Sequence, residues 1–295
     1  MWNRRLFIPF SWFPFGSLTL DRMPRISSPS SFVLLALVSL FWVGCAGSGR
    51  VQYESPKEAY DKGKAFYDEG NFPKAIEMLQ GAFDFGRTHQ WAADAQLYLA
   101  RSYRGNKEFL LAANEFTRFT QIYRSDPRIP EAEYELAMTY YDRSPKYTLD
   151  QTDTERAITQ FQLFMTRYAT NPLVEEAAAR VIELRGKLAQ KQFHTAILYE
   201  KREYYGAAAV SYEAVFDRYY DTEWADDALY GAIKAYYDYA RLSVVEKQPE
   251  RLRLAESNYD RLIQIFPESP LVKDAEAVYQ NVQALLNSLG STSKP

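Results

Sequence analysis

One ten-residue register recurs five times along the chain and restricts its fold more than any other feature. The copies are Gly86–Ala95 (GRTHQWAADA), Tyr123–Ala132 (YRSDPRIPEA), Tyr168–Ala177 (YATNPLVEEA), Tyr219–Ala228 (YYDTEWADDA) and Phe266–Ala275 (FPESPLVKDA). Each closes on an acidic residue followed by Ala, and an aromatic opens four of the five. Pro127, Pro172 and Pro270 share a column behind Asp126, Asn171 and Ser269. Such pairs read as a helix N-cap followed by Pro at the first helical position, where the missing N–H costs nothing. Acidic groups in the first turn also favour the helix dipole. Each copy is thus an expected helix start, recurring at intervals of 37, 45, 51 and 47 residues. Self-similarity at this period is the mark of stacked supersecondary units.

Between the starts a second pattern repeats. The first unit carries Gly63, Gly70, Phe72, Ala75, Leu79 and Ala82, and the second keeps the phase with Ala100, Tyr103, Ala112, Phe116 and Phe119. The third has Ala137 and Tyr140, then, after an insertion, Ala157, Phe161 and Phe164. Ala196, Tyr199, Tyr205, Ala208, Tyr212 and Val215 follow in the fourth, and Ala232, Ala255, Tyr259 and Leu262 in the fifth. Small residues belong where two antiparallel helices cross closely, with aromatics beside them. The pattern resembles the tetratricopeptide repeat, with units longer than the minimal 34 residues. The expected fold is all-α: a solenoid of about five helical hairpins over residues 53–290. Leu271–Leu289 caps the open end, Gly290 ends that helix, and 291–295 form a disordered tail.

The N-terminal region reads as an address. Phe32–Gly44 (FVLLALVSLFWVG) is apolar but only 13 residues long, short of the roughly 20 needed to span a bilayer. With Arg25 before it, it suits a signal-peptide hydrophobic region. It runs into the sole cysteine, Cys45, followed by small residues, and the whole resembles a bacterial lipobox with Trp42 where Leu is usual. The resemblance implies a signal peptide over 23–44, diacylglycerol and an N-acyl chain on Cys45, and no other cofactor. Ala46 in place of Asp favours the outer membrane over the inner one. Residues 1–22 do not fit this scheme, so translation is expected to start at Met23. Residues 45–52 make a flexible tether.

Composition closes other routes. A formal charge of −3 and a pI near 5.7 provide no basic field for nucleic acid. One Cys and two His cannot supply a closed zinc site. His89 and His194 have no Ser or Cys placed beside them by sequence, so no nucleophile–base pair is expected and the chain reads as non-catalytic. Gly44–Gly49 follows a signal sequence instead of a strand, which removes it as a phosphate loop.

Seven residues emerge as a binding groove. Counted from the repeat register, the inner face of the first helices presents Tyr60, Lys64 and Tyr67, then Arg101 and Arg104, then Tyr134 and Tyr141. Tyrosines beside Arg and Lys suit an extended peptide with aromatic side chains and a terminal carboxylate. Framework rings Tyr103, Phe116, Tyr140, Phe161, Tyr199, Tyr212 and Tyr259 are expected in the core.

A lipobox followed by five such repeats resembles the BamD family of lipoproteins, part of the machinery that inserts β-barrels into the bacterial outer membrane. The likeness is sharpest from Thr154 to Thr222, including Lys187–Ala189, Tyr199 and Tyr205, and the insertion between Tyr141 and Thr154 falls where that family has one. It implies a periplasm-facing adaptor that receives unfolded outer-membrane proteins on its N-terminal repeats. Its C-terminal repeats would dock a BamA-type insertase. The alternative is a periplasmic repeat lipoprotein that scaffolds peptidoglycan synthesis or envelope constriction.

Overall fold

The structure, a computed structural model, describes residues 53–292. The expected signal segment, Cys45, its tether and residues 293–295 lie outside the described residues. Eleven α-helices and two short 3₁₀ turns make up the described chain. They pair in sequence as hairpins: α1 (Pro56–Asp68) with α2 (Phe72–Gly81), α3 (Ala92–Gly105) with α4 (Phe109–Ile122), and α5 (Ile129–Arg143) with α6 (Thr152–Arg167). The fourth is α7 (Val174–Lys201) with α8 (Tyr205–Tyr219), and the fifth α9 (Ala225–Arg241) with α10 (Gln248–Ile265). Helix α11 (Val272–Thr292) packs on α10 and α9. The five-hairpin solenoid with its capping helix is therefore the observed architecture.

Helices α3, α5, α7, α9 and α11 begin at 92, 129, 174, 225 and 272, which reproduces the 37, 45, 51 and 47 spacing. The caps differ in detail. Asp126, Asn171 and Ser269 accept from the backbone N–H groups of Arg128, Leu173 and Leu271 at 2.9, 2.9 and 3.2 Å. They cap a turn that precedes the helix, so the prolines behind them stand in that turn and not at the first helical position. Nor does Gly290 stop α11, which runs to Thr292. Leu285, Leu286 and Leu289 continue its apolar stripe against the core and hold the last turns in place.

The framework alanines Ala75, Ala100, Ala112, Ala137, Ala157, Ala196, Ala208, Ala232 and Ala255 are all fully buried. Of the framework rings, Phe116, Phe161, Tyr103, Tyr212 and Tyr259 are buried and Tyr140 is half-buried. Tyr199 is the exception at 36% exposed. Helix α7 is 28 residues long, and Ala196 makes the close contact on it. Tyr199, in its last turn, falls beyond that crossing. Gly63 shows how tightly the first hairpin closes: a Cβ there would lie 2.6 Å from Leu79 Cγ. Gly63→Val should cost about 1–3 kcal/mol through overpacking, read as a lower urea midpoint at unchanged m-value.

Helix α7 also clamps the insertion before α6. Lys187 Nζ donates to Ser144 Oγ at 2.8 Å and Lys191 Nζ to the Leu149 carbonyl at 2.6 Å. Gln151 ties the loop to itself through the Lys146 and Leu149 carbonyls. Tyr147 stacks on His194 with centroids 4.9 Å apart. Burial pushes the Lys187 amine down from its ordinary value.

Candidate functional site

The face carried by α1, α3 and α5 is cross-linked from one hairpin to the next. Arg101, on α3, reaches Glu135 Oε1 on α5 with Nε at 2.7 Å and Nη2 at 2.5 Å, and Nη2 also lies 2.7 Å from Glu131. Arg104 Nε pairs with Asp142 Oδ2 at 2.6 Å. These pairs bound a cleft of about 260 Å³ lined by Tyr67, Phe72, Arg101, Arg104, Gly105, Glu135 and Asp142. Burial pushes the Glu135 carboxyl above its ordinary value, and Arg101 pulls against that shift. Arg101 and Glu135 side chains are 17% and 15% exposed, which makes this pair a strut between hairpins. Arg104, at 25%, stands more open to the cleft.

The structure brings Tyr67, Arg101 and Arg104 together and distributes the other four groove residues around them. Lys64 pairs with Asp68 one turn along α1 and sits 5.4 Å over the Tyr98 ring. Tyr60 is only 9% exposed and stacks on Trp91 at 5.6 Å. Tyr134 is buried against Phe161 and Phe164 at 5.7 and 5.5 Å, and burial pushes its phenol up to about 12. It belongs to the core of the third hairpin and not to the groove face. Two turns further along α5, Tyr141 donates to Glu183 at 2.6 Å under the Arg180 guanidinium, bridging α5 to α7.

Two rings on this face escape a reading based on the alanine framework. Trp91 and Tyr98, seven residues apart on α3 and its N-cap, meet Tyr60 and Tyr67, seven apart on α1. Such i,i+7 spacing places each pair on one side of its helix. That shared spacing is the sequence signal that could have found them.

The histidines have structural surroundings. His89 Nε2 lies 3.0 Å from the Ala82 carbonyl, and His194 stacks on Tyr147. Among the described residues, no group of three or more His, Cys, Asp or Glu could hold a metal ion. No helix among them is long and apolar enough to cross a membrane.

The model of the YfiO family, described as an outer membrane lipoprotein, matches residues 52–251. The chain belongs to the YfiO family. Two curated relatives extend the match along most of the chain. The outer membrane protein assembly factor BamD of Vibrio cholerae is 26% identical over 75% of this chain and 95% of its own length. BamD of Caulobacter vibrioides is 24% identical over 70% of each. A TPR-repeat protein of Bacteroides fragilis is similar at a TM-score of 0.47 and 15% identity, over 79% of this chain and 100% of that one. The YfiO match begins one residue before Tyr53, the first described residue, and ends inside α10.

Proposed function

We propose that the chain is an outer-membrane protein assembly factor of the BamD type, acting as a non-catalytic adaptor. Lipid on Cys45 holds it to the outer membrane with its hairpins in the periplasm. The first three hairpins bind unfolded outer-membrane β-barrel proteins, and the C-terminal repeats dock a BamA-type insertase. The observation that carries this reading is the YfiO match over residues 52–251, joined to BamD relatives covered over 70–95% of their length. The architecture supports it, because stacked hairpins offer long continuous faces suited to extended chains. Tyr204, Leu242, Val244 and Val245, exposed at the turns of the fourth and fifth hairpins, give the C-terminal half an apolar edge for docking.

On this reading the cleft at Arg104 receives the terminal carboxylate of a barrel strand. Asp142 holds the guanidinium in place and yields it to the incoming group, since a partly exposed pair is worth little. Arg104→Glu removes the cation and sets two like charges side by side. Affinity for a barrel C-terminal peptide should fall by about tenfold or more, measured by fluorescence anisotropy. Unchanged affinity would remove the cleft from the binding site.

A further inference from the structure

Tyr53, the residue at which the segment from Cys45 joins the described chain, marks one edge of the first hairpin. Its hydroxyl donates to Asp84 at 2.5 Å, and its ring meets Phe85 edge-on at 6.1 Å. The next turn on this edge adjoins the first, since the Tyr123 hydroxyl donates to the Arg87 carbonyl at 3.4 Å. Phe85 and Ile122 hold the same place in the repeat, one residue before Gly86 and Tyr123, and are 45% and 47% exposed. Beside Ile122, a cleft of about 410 Å³ lined by residues 121–126 holds Arg124.

Arg124 is exposed and donates from Nε to the Gln121 carbonyl at 3.1 Å, and among the described residues it forms no ion pair. The carboxylates next to Phe85 and Arg124 in sequence, Asp84 and Asp126, are taken by Tyr53 and Arg128. Isolated exposed apolar residues need no partner. What sets Phe85 and Ile122 apart is their place at the root of the Cys45 segment, beside an unpaired guanidinium. Leu110, 56% exposed at the other end of α4, stands about 18 Å away along the helix, on the edge remote from Tyr53.

The length of chain before Tyr53 identifies what covers this edge. Residues 45–52 can reach at most about 26–29 Å when fully extended, so lipid on Cys45 keeps the edge within that distance of a bilayer. The boundary between acyl chains and headgroups suits this set of side chains. Apolar groups enter the acyl region there, while a guanidinium on its long stem stays at the level of the lipid phosphates, which it can bind with two nitrogens. We propose that Phe85 and Ile122 dip into the phospholipid leaflet that holds the Cys45 acyl chains, with Arg124 on a headgroup phosphate. The contact rests on the lipid-anchor reading and gives it an orientation: the first two hairpins meet the membrane at this edge, and the opposite ends of α3 and α4 point away.

The test uses the lipidated chain reconstituted in vesicles of phosphatidylethanolamine and phosphatidylglycerol. With lipid on the sole native cysteine, Phe85→Cys, Ile122→Cys or Leu110→Cys each supplies one thiol for a fluorophore. All three replace exposed side chains, so helical circular dichroism should be unchanged. Nitroxide-bearing lipids should quench the labels at 85 and 122 about threefold more than the label at 110, because interfacial burial reaches only about 5–10 Å. Arg124→Glu, which turns attraction for lipid phosphate into repulsion, should bring quenching at 122 down to the level at 110. Equal quenching at the two edges would overturn the contact. So would shielding at 85 and 122 that arises only when a barrel insertase is added, since a protein would then cover the edge. Quenching unchanged by Arg124→Glu would overturn the role given to the guanidinium. Flotation of the unsubstituted chain with the vesicles separates the two levels. A chain that floats but quenches equally at both edges keeps the anchor and loses the contact, and one that does not float loses both.

Discussion

Arg101→Ala should destabilise the chain by about 3–5 kcal/mol, one of the largest losses any single substitution on the first-helix face can produce. The reason lies in the partner left behind. Glu135 is 15% exposed, and the guanidinium that reaches it with two nitrogens compensates its charge. Without Arg101 the carboxylate stays buried and uncompensated between hairpins two and three. The pH dependence gives a second signature. Burial already raises the folded-state pKa of Glu135, and Arg101 opposes that rise, so the substitution raises it further. A carboxyl whose folded pKa exceeds its unfolded value binds more protons when folded, so its penalty grows as pH climbs from the unfolded value to the folded one. The variant's deficit should therefore be largest near neutrality and shrink as the pH is lowered towards the unfolded value of about 4.3. Arg101→Ala combined with Glu135→Leu should recover most of the loss, because no buried charge remains. Urea unfolding at two pH values checks each part. A deficit under about 1 kcal/mol at neutral pH would show the pair to be an ordinary surface contact.

Cys45→Ser carries the largest expected functional effect. The sole thiol is the only group on which the lipobox resemblance can place lipid, and a serine hydroxyl is not acylated in its place. Each buried methylene adds about 0.8 kcal/mol of membrane affinity, and two or more chains are needed for stable anchoring. Losing all of them should move more than about nine-tenths of the protein from carbonate-washed membranes to the soluble fraction. Carbonate washing strips attached proteins, so residual docking to an insertase cannot mimic the anchor. Retention of the serine variant in washed membranes would contradict lipid anchoring through Cys45.

The repeat was legible because its physical cause is local. Small residues must face each other where helices cross, so a period survives in the sequence even when identities drift. The spacing of the helix starts at 92, 129, 174, 225 and 272 follows from that period, while the caps at Asp126, Asn171 and Ser269 act on the turn before each helix. Side-chain partners were less legible. Tyr60 and Tyr134 lie on the first helices as expected, but Trp91 and Tyr98 of the next hairpin cover Tyr60, Phe161 and Phe164 of its own hairpin cover Tyr134, and periodicity within one helix does not report what lies across it. Arg101 and Arg104 read as free cations because Glu135 and Asp142 are 34 and 38 residues away, one unit along the stack. Pairing charges at the repeat interval would have matched them. Tyr199 was misplaced because α7 is twice as long as a helix such as α3, so the phase inherited from shorter units no longer marks its crossing.

The most direct measurement is affinity purification of the full chain from detergent-solubilised outer membranes, with its partners identified by mass spectrometry. An adaptor of barrel assembly should bring down a β-barrel protein bearing periplasmic repeat domains, together with incompletely folded outer-membrane proteins. Recovery of a peptidoglycan-synthesising enzyme instead, with no such barrel, would contradict it.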